Sequence, residues 1–282
     1  MTKVHFLNGQ ILPQSGMMIP VSDISVGRGY GVFDYFQMRE GVPFHMEHHI
    51  ERFFKSAEGL RLSIPFSKEE IKNGVYTLIE KNQIQDAGIK LLATGGVSPD
   101  GFMPGTPNVA ILVLDYMKPS THLEDNGIAL LSYYYQRELP YVKSTNYLLN
   151  VYLQKELREA GALEPLYYTE KSVTETARAN VFAVINGTLV TPAENMLKGI
   201  NRQIVIDTMP YEVIQKDITL KELKEADEVF CTGTTKRAIG VTRIDNDRIG
   251  DGKPGPITSD IRHRMIEWEE NYIATHRHLI RT

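Results

Sequence analysis

Apolar and polar residues alternate from residue 3 to residue 13, and the alternation breaks at Asn8-Gly9, which predicts an opening β-hairpin. Residues 30–39 (Tyr-Gly-Val-Phe-Asp-Tyr-Phe-Gln-Met-Arg) predict a strand, with Glu40-Gly41 as the turn after it. From His48 the period changes: Ile50, Phe53, Phe54, Ala57 and Leu60 recur at the spacing of a helix with one buried face. Ser67 then opens a second helix, with Glu69 and Glu70 in its first turn, where the helix dipole favours negative charge. The runs 87–97 and 107–116 are apolar with little alternation and predict buried strands.

Met117–Asn126 is polar and carries Pro119, which predicts a linker over 118–126 between a domain at 1–117 and another at 127–282. Beyond it the pattern predicts a strand at 127–135 and a helix over 146–160 that stops at Gly161. Strands follow at 165–169, 180–185 and 188–190, the last two joined by Asn186-Gly187. A helix at 201–209, a strand at 211–215, a helix at 219–226 and the strand Val229–Thr232 come next. The stretch 245–258 is rich in Gly and Pro, and a final helix covers 258–274. This order predicts two α+β domains.

Composition narrows the classes without choosing among them. A hydrophobic content of 42% in 282 residues suffices for real cores. A net charge of -4 with scattered basic residues gives no reason to expect nucleic acid. No apolar run is long enough for a membrane span or a secretory signal. Cys231 is the single cysteine, so no internal disulfide forms, and a reducing, cytoplasmic setting is expected. Within a predicted strand Cys231 reads as a core residue, and His48-His49 as the start of a helix rather than a metal site.

The chemistry concentrates between Tyr141 and Phe182. Lys143 stands in Tyr-Val-Lys143-Ser-Thr-Asn-Tyr147, and about thirty residues later Glu175 stands in a strand-like run, Ser-Val-Thr-Glu175-Thr-Ala-Arg-Ala-Asn180-Val-Phe. A pyridoxal-phosphate enzyme needs such a pair: an amine to form an imine with the cofactor aldehyde, and a carboxylate to keep the pyridine nitrogen protonated. The amine must also be neutral to move protons, which requires a pKa well below that of free lysine.

With these motifs in order, the chain resembles the class IV aminotransferases. That pyridoxal-phosphate fold type is shared by D-amino-acid aminotransferase, branched-chain aminotransferase and aminodeoxychorismate lyase. The similarity runs from Asn8-Gly9 to Gly252-Lys-Pro-Gly-Pro-Ile-Thr258. It implies a two-domain fold-type IV enzyme, with a smaller N-terminal α/β sandwich domain and a larger C-terminal pseudo-barrel domain. It implies pyridoxal 5'-phosphate as cofactor, Lys143 as Schiff-base lysine and proton shuttle, and a homodimer. Glu175 and Asn180 match the family's Glu-x-x-x-x-Asn-Val-Phe, with the glutamate on the ring nitrogen. Arg52 matches the phosphate arginine. Gly199, Ile200 and Asn201 match the helix start that binds phosphate, with Asn201 where most relatives carry threonine. Gly233 and Thr234, followed by Thr235, resemble the family's other phosphate loop. Tyr147 resembles the tyrosine that branched-chain enzymes place near the phenolic oxygen, one residue short in spacing; a core tyrosine is the other reading.

Substrate residues match no single relative. The carboxylate arginine of the D-amino-acid enzymes corresponds to Gly95, and the branched-chain motif Glu-Gly-x-Arg is replaced by Asp34-Tyr35-Phe36-Gln37. Lys90 matches a strand lysine of the lyase, whose arginine falls near Asp100. Tyr30, Gln37 and Lys90 are expected to face the pocket, Thr235 is expected among the substrate residues, and Arg178 either reaches cofactor or substrate or forms a structural ion pair. The expected activity is ping-pong transamination between a small or branched amino acid and a 2-oxo acid. The alternative is the lyase, which removes pyruvate from aminodeoxychorismate. A third reading, a regulatory protein that binds cofactor without turnover, sits poorly with an intact Lys143 and Glu175.

Overall fold

A computed structural model describes residues 3–277. The chain falls into two compact units: Met1–Met117 with Val142–Asn146 and Asn271–Thr282, and Lys118–Tyr141 with Tyr147–Glu270. The chain thus returns to the first unit twice, which a division at one linear boundary does not capture.

In the first unit, strands β1 (Val4–Leu7), β2 (Gln10–Pro13), β3 (Gly31–Arg39), β4 (Val42–Pro43), β5 (Ala87–Thr94) and β6 (Val109–Leu114) make a six-stranded sheet among the described residues, in the order β2-β1-β6-β5-β3-β4. Asn8-Gly9 and Glu40-Gly41 both sit at positive φ, the conformation of a two-residue turn whose twist matches its strands. One sheet face packs under α2 (Met46–Gly59) and α3 (Lys68–Asn82), where Val32, Phe36, Met38, Ile89, Leu91 and Ile111 meet Ile50, Phe53, Ile71 and Leu78. Ser67 caps α3 in a full capping box with Glu70. A short helix, α1 (Ile24–Arg28), capped by Asp23, precedes β3 and was not apparent in the pattern.

The second unit opens with α4 (Thr121–Asn126), so the expected linker is helical in its second half; Ser120 caps it and Gly127 ends it at positive φ. Strand β7 (Ile128–Tyr134) follows. The expected helix over 146–160 is a correction. It begins only at Leu148, because Ser144 and Thr145 are bound to β3, and it divides at Leu153 into α5 (Leu148–Tyr152) and α6 (Gln154–Glu159). Asn150, Val151 and Tyr152, just before the break, are weak helix formers.

Strands β8 (Glu164–Tyr168), β9 (Val173–Thr176), β10 (Asn180–Ile185) and β11 (Thr188–Thr191) are followed by α7 (Ile200–Thr208) and β12 (Val213–Gln215). Helix α8 (Leu220–Lys224), β13 (Glu228–Gly233), β14 (Arg237–Ile244), β15 (Asp247–Arg248) and α9 (Pro256–His276) are the last elements among the described residues. Among the described residues the path β10-β13-β14-β7-β8-β9 closes on itself, because β9 pairs back to β10 through Glu175 opposite Asn180. The closed barrel is filled by Ile128, Leu130, Leu166, Val173, Val181, Ala183, Val229, Cys231, Ile239 and Val241. The next residues on β10 and β13 point outward, where Phe182 and Phe230 stack at 4.9 Å and pack with Val205, Ile261 and Met265 of α7 and α9. Among the described residues no helix is long and apolar enough to cross a membrane.

Candidate active site

The first unit places Lys143 on a pinned stretch of backbone. Its N–H donates to Ser56 Oγ at 3.1 Å, its carbonyl accepts from Phe33 N–H at 3.0 Å, and Val142 beside it is buried in the core. The amine lies over the Phe33 ring, 4.7 Å from its centre. Lys90 reaches the same ring at 5.1 Å from β5, so two amines approach one aromatic ring. Phe33, Tyr35 and Gln37 alternate onto one sheet face, with Lys90 directly opposite Tyr35.

Arg52, on α2, is fixed by a residue that sequence reasoning left outside the cofactor site. Asp34 is fully buried and accepts from Arg52 Nε and Nη2, both at 2.8 Å, and lies 2.7 Å from His49 Nδ1. Burial alone would raise the Asp34 pKa, but the charges of Arg52 and His49 outweigh it and hold the carboxyl well below the usual range. Burial pushes the His49 imidazole down. His49, expected as an ordinary helix-start residue, belongs to this network. Tyr30 and Gln37 have their polar ends engaged within the unit: the Tyr30 hydroxyl donates to the Leu60 carbonyl, and the Gln37 amide donates to the Met117 carbonyl at 2.6 Å. At Gly95 a Cβ would stand 2.2 Å from Ile24 Cγ2 and 2.9 Å from the Tyr30 carbonyl oxygen, so this fold admits no arginine there.

In the second unit, Glu175 and Asn180 meet where the barrel closes. Leu197 N–H donates to Glu175 Oε2 at 3.2 Å, and Asn180 Nδ2 donates to the Leu197 carbonyl at 2.7 Å, which ties β9 and β10 to the approach to α7. Arg137 lies 3.1 Å from Glu175 Oε1, a contact held by charge rather than by an aligned hydrogen bond. Burial works against the charged guanidinium, yet Glu175 and the nearby tyrosines outweigh it and the Arg137 pKa is raised. Tyr147 stacks against Arg137 at 5.4 Å, and burial raises its hydroxyl pKa.

Gly199 caps α7 without a side chain; a Cβ there would sit 2.1 Å from Asn180 Oδ1. The first amides of α7 therefore have no side-chain cap and can face an anion. Asn201, however, donates its amide to the Gly233 carbonyl at 3.0 Å, joining the α7 start to the hairpin Thr234-Thr235-Lys236 between β13 and β14. Thr232, opposite Asn180 on the same sheet face, has a buried Oγ1 with no hydrogen-bond partner among the described residues. Arg178 does not stand alone: it binds the buried Glu164 together with Lys236. Arg137, Glu164 and Lys236 were not singled out from the sequence.

The first unit offers a primary amine on a pinned segment and an arginine held by a buried carboxylate, and the second unit, by itself, offers a barrel-end glutamate and a helix start without a side-chain cap; these are the chemical types a phosphorylated pyridine aldehyde requires. The residues fit that cofactor.

Comparison with known proteins places these features in context. The family model described as Amino-transferase class IV matches residues 31–244. The D-alanine aminotransferase of Bacillus licheniformis is 33% identical over 271 residues, covering 92% of this chain and 94% of its own. Among solved structures, a branched-chain amino acid aminotransferase from T.th. with pyridoxamine 5'-phosphate superposes with a TM-score of 0.87 at 26% identity, covering 95% of this chain and 94% of that one. A branched-chain aminotransferase from Thermoproteus uzoniensis with norvaline gives 0.84 at 25% identity, covering 97% and 98%.

Proposed function

Because the chain belongs to the amino-transferase class IV family, we propose that it moves an amino group between a small or branched amino acid and a 2-oxo acid by a ping-pong route. The enzyme is a pyridoxal-phosphate-dependent transaminase. When bound, the cofactor supplies a protonated pyridine ring that accepts the electrons of the bond broken at the substrate α-carbon.

The observation that carries the reading is the placement of Lys143: a half-buried amine on a backbone held from both sides, over an aromatic face. Lys143 Nζ would hold the cofactor aldehyde and, as a neutral amine, would serve as the base that moves the substrate α-proton. Glu175, 3.1 Å from Arg137, would face the ring nitrogen and favour its protonated form. On the family resemblance, Arg52 of the first unit would be a phosphate ligand; in the second unit the α7 amides with Ile200 and Asn201 and the Gly233–Thr234 loop would serve the phosphate and Tyr147 the ring. Lys90, the second amine at the Phe33 ring, is assigned to the substrate carboxylate, a role that Gly95 has no room to fill.

Small and branched side chains are favoured by the names of the relatives, D-alanine and branched-chain enzymes. The matches do not support the lyase. The same proposal includes a homodimer, favoured by the exposed Met18, Val21 and Phe102, of which Val21 is 90% exposed, and a cytoplasmic setting, favoured by the single, buried Cys231. Light scattering should give twice the chain mass of 31.9 kDa, and a monomeric mass at working concentration rejects the dimer. The activity is tested by mixing holoenzyme with single D- or L-amino acids in the absence of any oxo acid. At least one small or branched amino acid should convert the bound cofactor to its amine form; failure across the panel contradicts the proposal.

A further inference from the structure

Glu164 opens β8 and is 1% exposed. Its Oε2 accepts from Thr176 Oγ1 at 2.6 Å and from Arg178 N–H at 3.2 Å, both in the turn that carries the chain from Glu175 to Asn180. Its Oε1 accepts from Arg178 Nε at 3.0 Å and lies 3.0 Å from Arg178 Nη2 and 2.7 Å from Lys236 Nζ. Lys236 ends the hairpin that begins at Gly233, and its side chain is 11% exposed. One buried carboxylate therefore grips two loops that are distant in sequence, each carrying groups assigned to the cofactor. From its other side the same hairpin is held by Asn201 Nδ2 on the Gly233 carbonyl.

Stability alone is a weak reason for this arrangement. A buried ionic cluster commonly gains little over well-packed apolar residues, because desolvation offsets the Coulomb attraction. What such a cluster does well is fix one geometry among several.

We propose that Glu164 is a positioning residue for the cofactor site, latching the β9–β10 turn to the β13–β14 hairpin so that both loops hold their binding geometry before the cofactor arrives. Without the latch the loops sample other arrangements. The apparent dissociation constant then rises in proportion to the loss of the competent fraction. The inference rests on the cofactor assignment and not on any choice of substrate.

The experiment is titration of apoprotein with pyridoxal 5'-phosphate, followed by absorbance or fluorescence at a temperature well below melting. The wild-type titration checks the cofactor assignment by itself. Glu164→Gln should weaken binding about tenfold, the effect of a competent fraction near one tenth. Thr176→Val, which leaves every charge in place, should weaken it severalfold with little change in melting temperature. In Glu164→Gln/Lys236→Met, which removes a stranded cation, melting should recover toward wild type while binding stays weak; a purely structural role would restore both.

Charge alone predicts the opposite sign for Glu164→Gln, since deleting a negative group near a phosphate dianion would tighten binding. Unchanged or tighter binding in that variant overturns the latch. If Glu164→Gln does not fold, Thr176→Val decides: a dissociation constant within twofold of wild type overturns it equally.

Discussion

Individual residues divide by how their role arises. Lys143 and Glu175 stand out in the sequence because each sits in a run of neighbours whose order is informative, Ser-Thr-Asn-Tyr after the lysine and Asn-Val-Phe after the glutamate. Asp34, His49, Arg137, Glu164 and Lys236 do not, because their partners lie on other elements and a lone charged residue leaves no periodic trace. Lys236 meets Glu164 across 72 positions of chain only after the barrel has formed (236 minus 164). Asp34 shows what such a residue controls. It takes the whole Nε–Nη2 fork of Arg52, so Asp34→Asn leaves a buried guanidinium without its counter-charge. Stability should fall by roughly 3 kcal/mol, the cost of breaking one side of a buried pair. Affinity for pyridoxal 5'-phosphate should fall about tenfold, an effect of ~1.4 kcal/mol. Thermal denaturation and cofactor titration measure the two losses; wild-type values in both would contradict the assigned role of Asp34.

Among the elements, those defined by local chemistry were read well. The turns at Asn8-Gly9 and Asn186-Gly187 pair the strands around them, and Ser67 with Glu70 starts α3. Elements defined by tertiary pairing were read less well. Strand β14 has a mixed sequence, Arg-Ala-Ile-Gly-Val-Thr-Arg-Ile, and exists because β13 and β7 bind it on either side. The start of α2 carries a pH dependence of its own. Burial pushes the His45 imidazole down to about 3 from an ordinary 6.5, and nearby His49, His48 and His276 add to the shift while Glu47 opposes it. The folded state thus keeps His45 neutral where the unfolded chain takes up a proton. Its contribution is complete above about pH 6.5 and is lost progressively as pH falls toward 3. Between pH 7.5 and 5 this should lower stability by roughly 1–2 kcal/mol, discounted because the ring is only half-buried. His45→Asn should flatten that part of the melting-temperature profile; an identical acid drop in both proteins would contradict it.

At the scale of the whole molecule, the α+β class and the closing of a barrel in the second unit follow from the order of strands and helices together with the family resemblance. The way the chain revisits its first unit at 142–146 does not. That return takes Lys143 out of a helical context and lays it against β3, the placement on which the proposed role of its amine rests. The central claim is that this one amine carries both the cofactor linkage and the proton transfer. Its most direct test is the absorbance of the bound cofactor before and after a reactive amino acid is added, in the wild type and in Lys143→Ala. The wild type should show a band near the boundary of the visible and ultraviolet that the amino acid converts to the amine form, and Lys143→Ala should lack that band and convert at least a thousandfold more slowly, the order expected when a positioned acid–base group is removed. An unchanged band and wild-type conversion in Lys143→Ala would contradict the claim.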